Sequence, residues 1–202
     1  MKTSARILTA VVVALALPVT ASSVFAQSQR LSGTIVSVDG STINLKTAKG
    51  DVKVKLADKG SVLAVEKVTM DGIKKGEFIG VGAMPQAAGS QKAVRINIFD
   101  EARRGTGEGH RPWSSDPKGT MTNATVDTTV GSIDGQVLML KYKDGEKKII
   151  VPPEVIIQRN VAGSASDLTP GAAVLITAAT PQPEGSFETA RISVGRGGYV
   201  PQ

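Results

Sequence analysis

Two stretches of this chain, residues 33–99 and 123–195, follow one plan, and that duplication limits the possible folds more than any other feature. The first opens GTIVSVDGSTINLKTAKGDVKVKL, with Val and Ile alternating against Thr, Ser, Asn and Lys. Period-2 alternation of this kind marks half-buried strands, and Asp39-Gly40 and Lys49-Gly50 mark hairpin turns. The second, ATVDTTVGSIDGQVLMLKYKDGEKKIIV, places Asp134-Gly135 and Asp144-Gly145 at the matching turns. Gly50 precedes Gly76 by 26 residues, and Gly145 precedes Gly171 by the same 26. Asp71-Gly72-Ile73-Lys74-Lys75-Gly76 leads into Phe78-Ile79-Gly80-Val81, as Asp167-Leu168-Thr169-Pro170-Gly171 leads into Ala173-Val174-Leu175-Ile176. Each copy closes on a similar strand, Ala93-Val94-Arg95-Ile96-Asn97-Ile98 and Thr189-Ala190-Arg191-Ile192-Ser193-Val194, at an offset of 95 or 96 residues.

About five short strands per copy, with turn signals every 8–12 residues, predict an all-β protein. Small sheets bury their edges best by curling shut. The expected fold is therefore two tandem five-stranded OB-like barrels, at 27–99 and 123–195. A single two-layer β-sandwich made from both repeats is the alternative. Ser61 to Val68 reads as a short turn or helix between strands, residues 100–122 as a Gly/Arg-rich joining segment, and 196–202 as a flexible tail.

The N-terminus has the three parts of a secretory signal. Lys2 and Arg6 supply positive charge, Ile7 to Leu17 an apolar run too short for a membrane span, and Val24-Phe25-Ala26 a cleavage site before Gln27. The expected product is periplasmic or secreted, with no transmembrane segment in its mature part. With no Cys, it carries neither an N-terminal lipid nor disulfides, so its cores must hold it together. Without Lys2 and Arg6 the 24 basic side chains fall to 22 against 18 acidic, a mild net +4. Aromatic residues are only 3% of the chain. Single-stranded nucleic acid is held largely by stacking, so no nucleic-acid partner is expected; a protein or envelope component is.

The strand–Asp-Gly–strand hairpin, the phrase around Asp167-Leu168 and Gly171, and the terminal Ala190-Arg191-Ile192 strand together resemble the uncharacterised OB-like small β-barrel domains of bacterial extracytoplasmic proteins, in tandem form. The resemblance covers nearly all of the mature chain and implies a fold and a compartment rather than an activity. The joining segment is similar to a signature of one subgroup, some of whose members carry metal-transporter permease labels. This chain departs from that label, having no apolar span beyond its leader.

The joining segment holds the sole His (His110) and the sole Trp (Trp113). Gly105, Gly107 and Gly109 alternate, a pattern that can gather backbone N–H groups into an anion-binding nest, with Arg103, Arg104 and Arg111 adding charge. No Lys-Ser/Thr ending follows, so the pattern is not a P-loop. Trp113 reads as a plug between modules, with Arg104 or Arg111 stacked on it or paired with Glu108. The candidate ligand-binding residues are accordingly Arg104, Glu108, His110, Arg111 and Trp113. Glu108, His110 and Met121 form an alternative metal set that copper could accept, while Met70, Met84 and Met139 read as core or turn residues. One His and no Gly-x-Ser-x-Gly elbow leave no catalytic constellation, and no cofactor is called for. A non-enzymatic binding or scaffold protein is the expected function. Arg95 and Arg191 recur at one place in both last strands. They read as exposed, edge-protecting charges, or else as a ligand contact used twice.

Overall fold

The computed structural model describes residues 27–132 and 135–202; the leader read at 1–26 and the turn residue Asp134 lie outside the described residues. Among the described residues the chain is all-β. Its strands are β1 (Gln29–Asp39), β2 (Thr42–Thr47), β3 (Gly50–Lys67), β4 (Phe78–Pro85), β5 (Gln91–Ile98) and β6 (Gly109–Trp113). There follow β7 (Asp116–Ser132), β8 (Gly135–Tyr142), β9 (Gly145–Val151), β10 (Ile156–Ala162), β11 (Ala173–Pro181) and β12 (Phe187–Gly195). No helix among the described residues is long and apolar enough to cross a membrane.

The alternating sequences form the hairpins they predict. Gly40 turns β1 into β2 with φ +56°, where a side chain would be strained. The repeat reaches down to the backbone: Ala88 and Glu184, 96 positions apart, both take positive φ in the β4–β5 and β11–β12 turns. Its offset is not constant. Thr34 opposite Lys46 answers to Thr125 opposite Lys141, so the offset is 91 before the first turn and 95 after it. The β7–β8 hairpin is four residues longer than its sister.

Two five-stranded rings close, each in the strand order of an OB-like barrel. One runs β1–β2–β3–β12–β11 and back to β1; the other runs β7–β8–β9–β5–β4 and back to β7. Each ring takes three strands from one repeat and two from the other. The barrels thus do not coincide with the contiguous modules 27–99 and 123–195, and no two-layer sandwich forms. The cause lies in β3. Ser61 to Lys67, expected as a turn or helix, continues the strand, because Val62, Leu63 and Val65 pair with β12 on one side and Leu63 and Val65 with β10 on the other. The chain is thereby carried past its own barrel before β4 begins.

At the centre β3 and β10 run antiparallel, with Val65 opposite Asn160, Leu63 opposite Ala162 and Lys67 opposite Gln158. Residues 95 apart exchange places across this ladder, which is the signature of a two-fold axis. Each barrel has its own apolar core. Ile35, Ile43, Leu45, Val54, Ile176 and Ile192 fill the first, and Ile79, Val81, Ile96, Leu138, Leu140 and Ile149 fill the second.

Ion pairs pin the crossing segments. Arg159 on β10 donates to Glu77 at 2.6 Å and to the Gly72 carbonyl at 2.8 Å, both half-buried contacts beside the link into β4. Arg159→Met should cost about 2 kcal/mol by leaving Glu77 Oε1 and that carbonyl without a donor, while Oε2 keeps the Lys74 N–H. Urea unfolding that showed a loss below about 0.5 kcal/mol would count against this role. The expected flexible tail is instead folded down. Arg196 pairs with Asp167 at 2.8 Å and Glu66 at 3.0 Å, the Tyr199 hydroxyl donates to Gln158 at 3.1 Å, and Pro201 is buried.

The joining segment is likewise structured. Asp100 caps a short 3-10 turn, accepting from the Arg103 N–H at 3.0 Å, and β6 then pairs with the first half of β7.

Candidate functional site

Strand alternation divides every residue of a closed barrel between inside and outside. On β5, β4 and β7 the fully buried Ile96, Val81 and Thr122 point inward. Their neighbours therefore point outward, and register places them in rows. Arg95, Gly82, Met121 and Arg111 form one row across β5, β4, β7 and β6. Asn97, Gly80, Asn123 and Gly109 form the next.

The two glycines of β4 make room on this outer face. A Cβ on Gly82 would stand 2.7 Å from the Trp113 ring, and one on Gly119 2.8 Å from it. The indole crosses β7 to lie on both positions and is only 9% exposed. Over it, at 5.5 Å, stands the guanidinium of Arg95. A second guanidinium, that of Arg103, stands 5.0 Å over the ring of Phe99.

Between the barrels, along the two-fold axis, this face encloses a cavity of about 300 Å³. Arg95, Arg103, Arg111 and Arg191 line it, and none of its lining residues is an Asp or a Glu. Its uncharged floor mixes apolar side chains, Leu63, Val65 and Leu175, with a polar group of amides. Gln158 donates to Asn97 Oδ1 at 3.2 Å and accepts from Tyr199 and from the Gln202 N–H, with Asn160 beside it on β10. Burial first, and then the charge of Arg30, pushes the Arg95 guanidinium below its ordinary range. Burial and the charge of Arg191 do the same to Arg103. Asp100 offsets part of the charge of Arg103 from outside the cavity; the remaining repulsion among the guanidiniums opposes folding, and an anion in the cleft would relieve it. One further group is unsatisfied: Asn123 Oδ1, buried on the cleft wall, has no hydrogen-bond partner in the structure. Its Nδ2 donates to the Thr106 carbonyl at 2.9 Å.

The candidates read from the sequence divide around this cleft. Arg111 lines it, and Trp113 supports it from beneath Arg95. Arg104 does not reach it; it is ion-paired to Glu101 and donates to the Gly76 carbonyl at 2.9 Å. Neither Arg104 nor Arg111 is the cation on Trp113, because Arg111 Nη1 is held by the Gly107 carbonyl at 2.6 Å. Glu108 turns away and accepts from the Lys143 N–H at 3.0 Å. The expected anion nest does not form: the Thr106 and Glu108 N–H groups are taken by the carbonyls of Arg103 and Gly105.

The metal set is split by register. His110 pairs with Thr122 and Arg111 with Met121, so His110 and Met121 occupy opposite faces of the ribbon. His110 Nδ1 lies 2.8 Å from Thr122 Oγ1, and no group of three His, Cys, Asp or Glu side chains suited to a metal occurs among the described residues.

Burial, with help from the charge of Lys147, depresses the pKa of His110 below its ordinary 6.5. A base depressed by folding is held neutral. Its contribution is complete above the unfolded value and is lost as pH falls below about 6.5 toward the folded one. His110→Gln should therefore flatten the acid side of the stability curve. Urea midpoints compared at pH 7.5 and pH 5.0 test this, and an unchanged slope would refute it.

Arg95 and Arg191 are the residues that sequence reasoning undervalued. The available signal was their repetition next to inward-facing Ile96 and Ile192. Parity alone put both guanidiniums on the outer face, where the barrels meet. Comparison of the chain with family models, with curated proteins and with solved structures finds no match.

Proposed function

We propose that this chain is an exported, non-enzymatic binding protein of the bacterial cell envelope, and that the cleft between its two barrels receives an anionic ligand. One observation carries the reading: four arginines line a single cavity whose lining includes no Asp or Glu side chain. Guanidinium groups match the planar geometry of carboxylate and phosphate oxygens, and Arg95 and Arg103 are each steadied on an aromatic ring. The positive start, the short apolar run and the Val24-Phe25-Ala26 site support the extracytoplasmic setting.

The test is thermal unfolding of the mature protein, residues 27–202, titrated with inorganic phosphate and with citrate. A ligand that binds only the folded state raises stability by about 2.7 kcal/mol at one hundred times its Kd. The expected result is a saturable rise in Tm that disappears in the Arg103→Gln/Arg191→Gln double variant. A rise of equal size in that variant would place the anion elsewhere and remove the proposal.

A further inference from the structure

Resting on the reading that the cleft binds anions at all, its layout says what kind of anion fits. The guanidiniums form two separate centres. Arg191 stands opposite Ser61 and donates to its hydroxyl at 3.4 Å, while Arg95 stands opposite Ile156. The paired stretch of β3 and β10 lies between them, so they mark opposite ends of the central sheet β12–β3–β10–β5. Across the strands alone that is three spacings, roughly 14 Å. Arg103 lines the same cavity and feels the charge of Arg191, which places it with the first end. Arg111 shares the row of Arg95. A single phosphate or carboxylate can satisfy one centre and leave the other uncompensated.

Between the centres, set among the apolar Leu63, Val65 and Leu175, the lining offers amides and a hydroxyl, from Asn97, Gln158, Asn160 and Ser193. Such groups recognise neutral hydrogen-bonding matter. Asn123 Oδ1, an acceptor without a donor, adds a demand for a ligand that donates as well as accepts. Hydroxyls do both.

Two other elongated polyanions fit less well. Nucleic acid needs open aromatic faces, and the Trp113 and Phe99 rings are already faced by Arg95 and Arg103. An acidic peptide needs a free strand edge or an open apolar pocket. The central strands are paired on both sides, and Leu63, Val65 and Leu175 are already buried.

We propose that the cleft binds an acidic oligosaccharide, with a carboxylate or phosphate group at each arginine centre and sugar hydroxyls on the amide floor between them.

Titration calorimetry on the mature protein tests this with five probes: a tetrameric oligogalacturonate, a neutral tetrameric glucan, inorganic phosphate, an eight-nucleotide oligothymidylate and an oligoglutamate of matching charge. The acidic tetrasaccharide should bind at least ten-fold more tightly than any other probe. Arg95→Gln and Arg191→Gln should each weaken it by ten-fold or more, since the ends act together. Lys53→Gln/Lys55→Gln, which removes two exposed charges from the outer face of β3, should change it less than two-fold. Melting curves of each free variant establish that it is folded, and Arg191, an exposed residue, gives a variant that folds independently of the Trp113 stack. Phosphate binding as tight as the tetrasaccharide, and sensitive to one arginine end only, overturns the oligosaccharide proposal while anion binding stands. Tighter binding of the oligonucleotide or the oligoglutamate overturns it in favour of that partner. Equal losses in the lysine control would show general basicity and overturn it too. No anion bound at the cleft overturns both readings.

Discussion

A fragment of residues 27–106 is expected to yield no folded monomer. It contains β1 to β5, which the sequence presents as a complete barrel, yet in the structure β4 and β5 close the other ring. Alone, β1–β2–β3 would leave Ile35, Leu45 and Val54 open where β11 and β12 now cover them. Two copies of the fragment can repair this by exchanging β4 and β5 about the same two-fold axis that relates the repeats. Light scattering with circular dichroism should therefore find a folded dimer when concentrated and an unfolded chain when dilute. Mixing the fragment with residues 107–202 should give a one-to-one folded complex. A folded monomer at every concentration would show that exchange is not required.

The second large effect concerns Trp113. Replacing it with Ala opens a hole over Gly82 and Gly119 that no other side chain can fill, since β4 has glycine at that position to admit the ring. Truncating a buried Trp costs about 3 kcal/mol, or roughly 10 °C in Tm for a chain of this size. The same change removes the platform under Arg95. Anion binding at the cleft should then fall by more than ten-fold even below the melting temperature. Trp113→Phe should keep most of both. A Tm within 2 °C of the parent in Trp113→Ala would show that the ring neither fastens β6 nor supports the cleft.

Much of this architecture was legible in the sequence. The Val/Ile alternation, the Asp-Gly turns and the 26-residue Gly spacings identified the hairpins and the barrel class. The exchange was not legible, for a physical reason. Ile79 and Val81 on β4 occupy the same interior positions as Val174 and Ile176 on β11, with nearly the same chemistry. Either pair can line either barrel, so no pattern of hydrophobicity selects between them. The choice is made by the continuation of β3 through Ser61–Lys67, a stretch whose apolar residues fit a strand paired on both sides as well as a short helix. The site was half legible. Attention to the segment with the sole His and Trp found Arg111 and Trp113, because unusual residues cluster where strands must fasten to one another. It also suggested Glu108, His110 and Met121; one residue of register sends His110 and Met121 to different faces, and Glu108 turns to the Lys143 N–H. Arg95 and Arg191 could not be joined before the strand order was known, since they sit near the ends of separate repeats.

The long reach of the β1–β11 pairing has a consequence for the timing of the chain's life. β1 begins at Gln29 and its ring closes only with β12, which ends at Gly195. At about 5–20 residues per second of synthesis, the first strands wait roughly 10–30 s for the last. Through that interval neither hydrophobic core has its full complement of strands. Such a chain remains threadable until its final strand exists, which fits the export proposed for it.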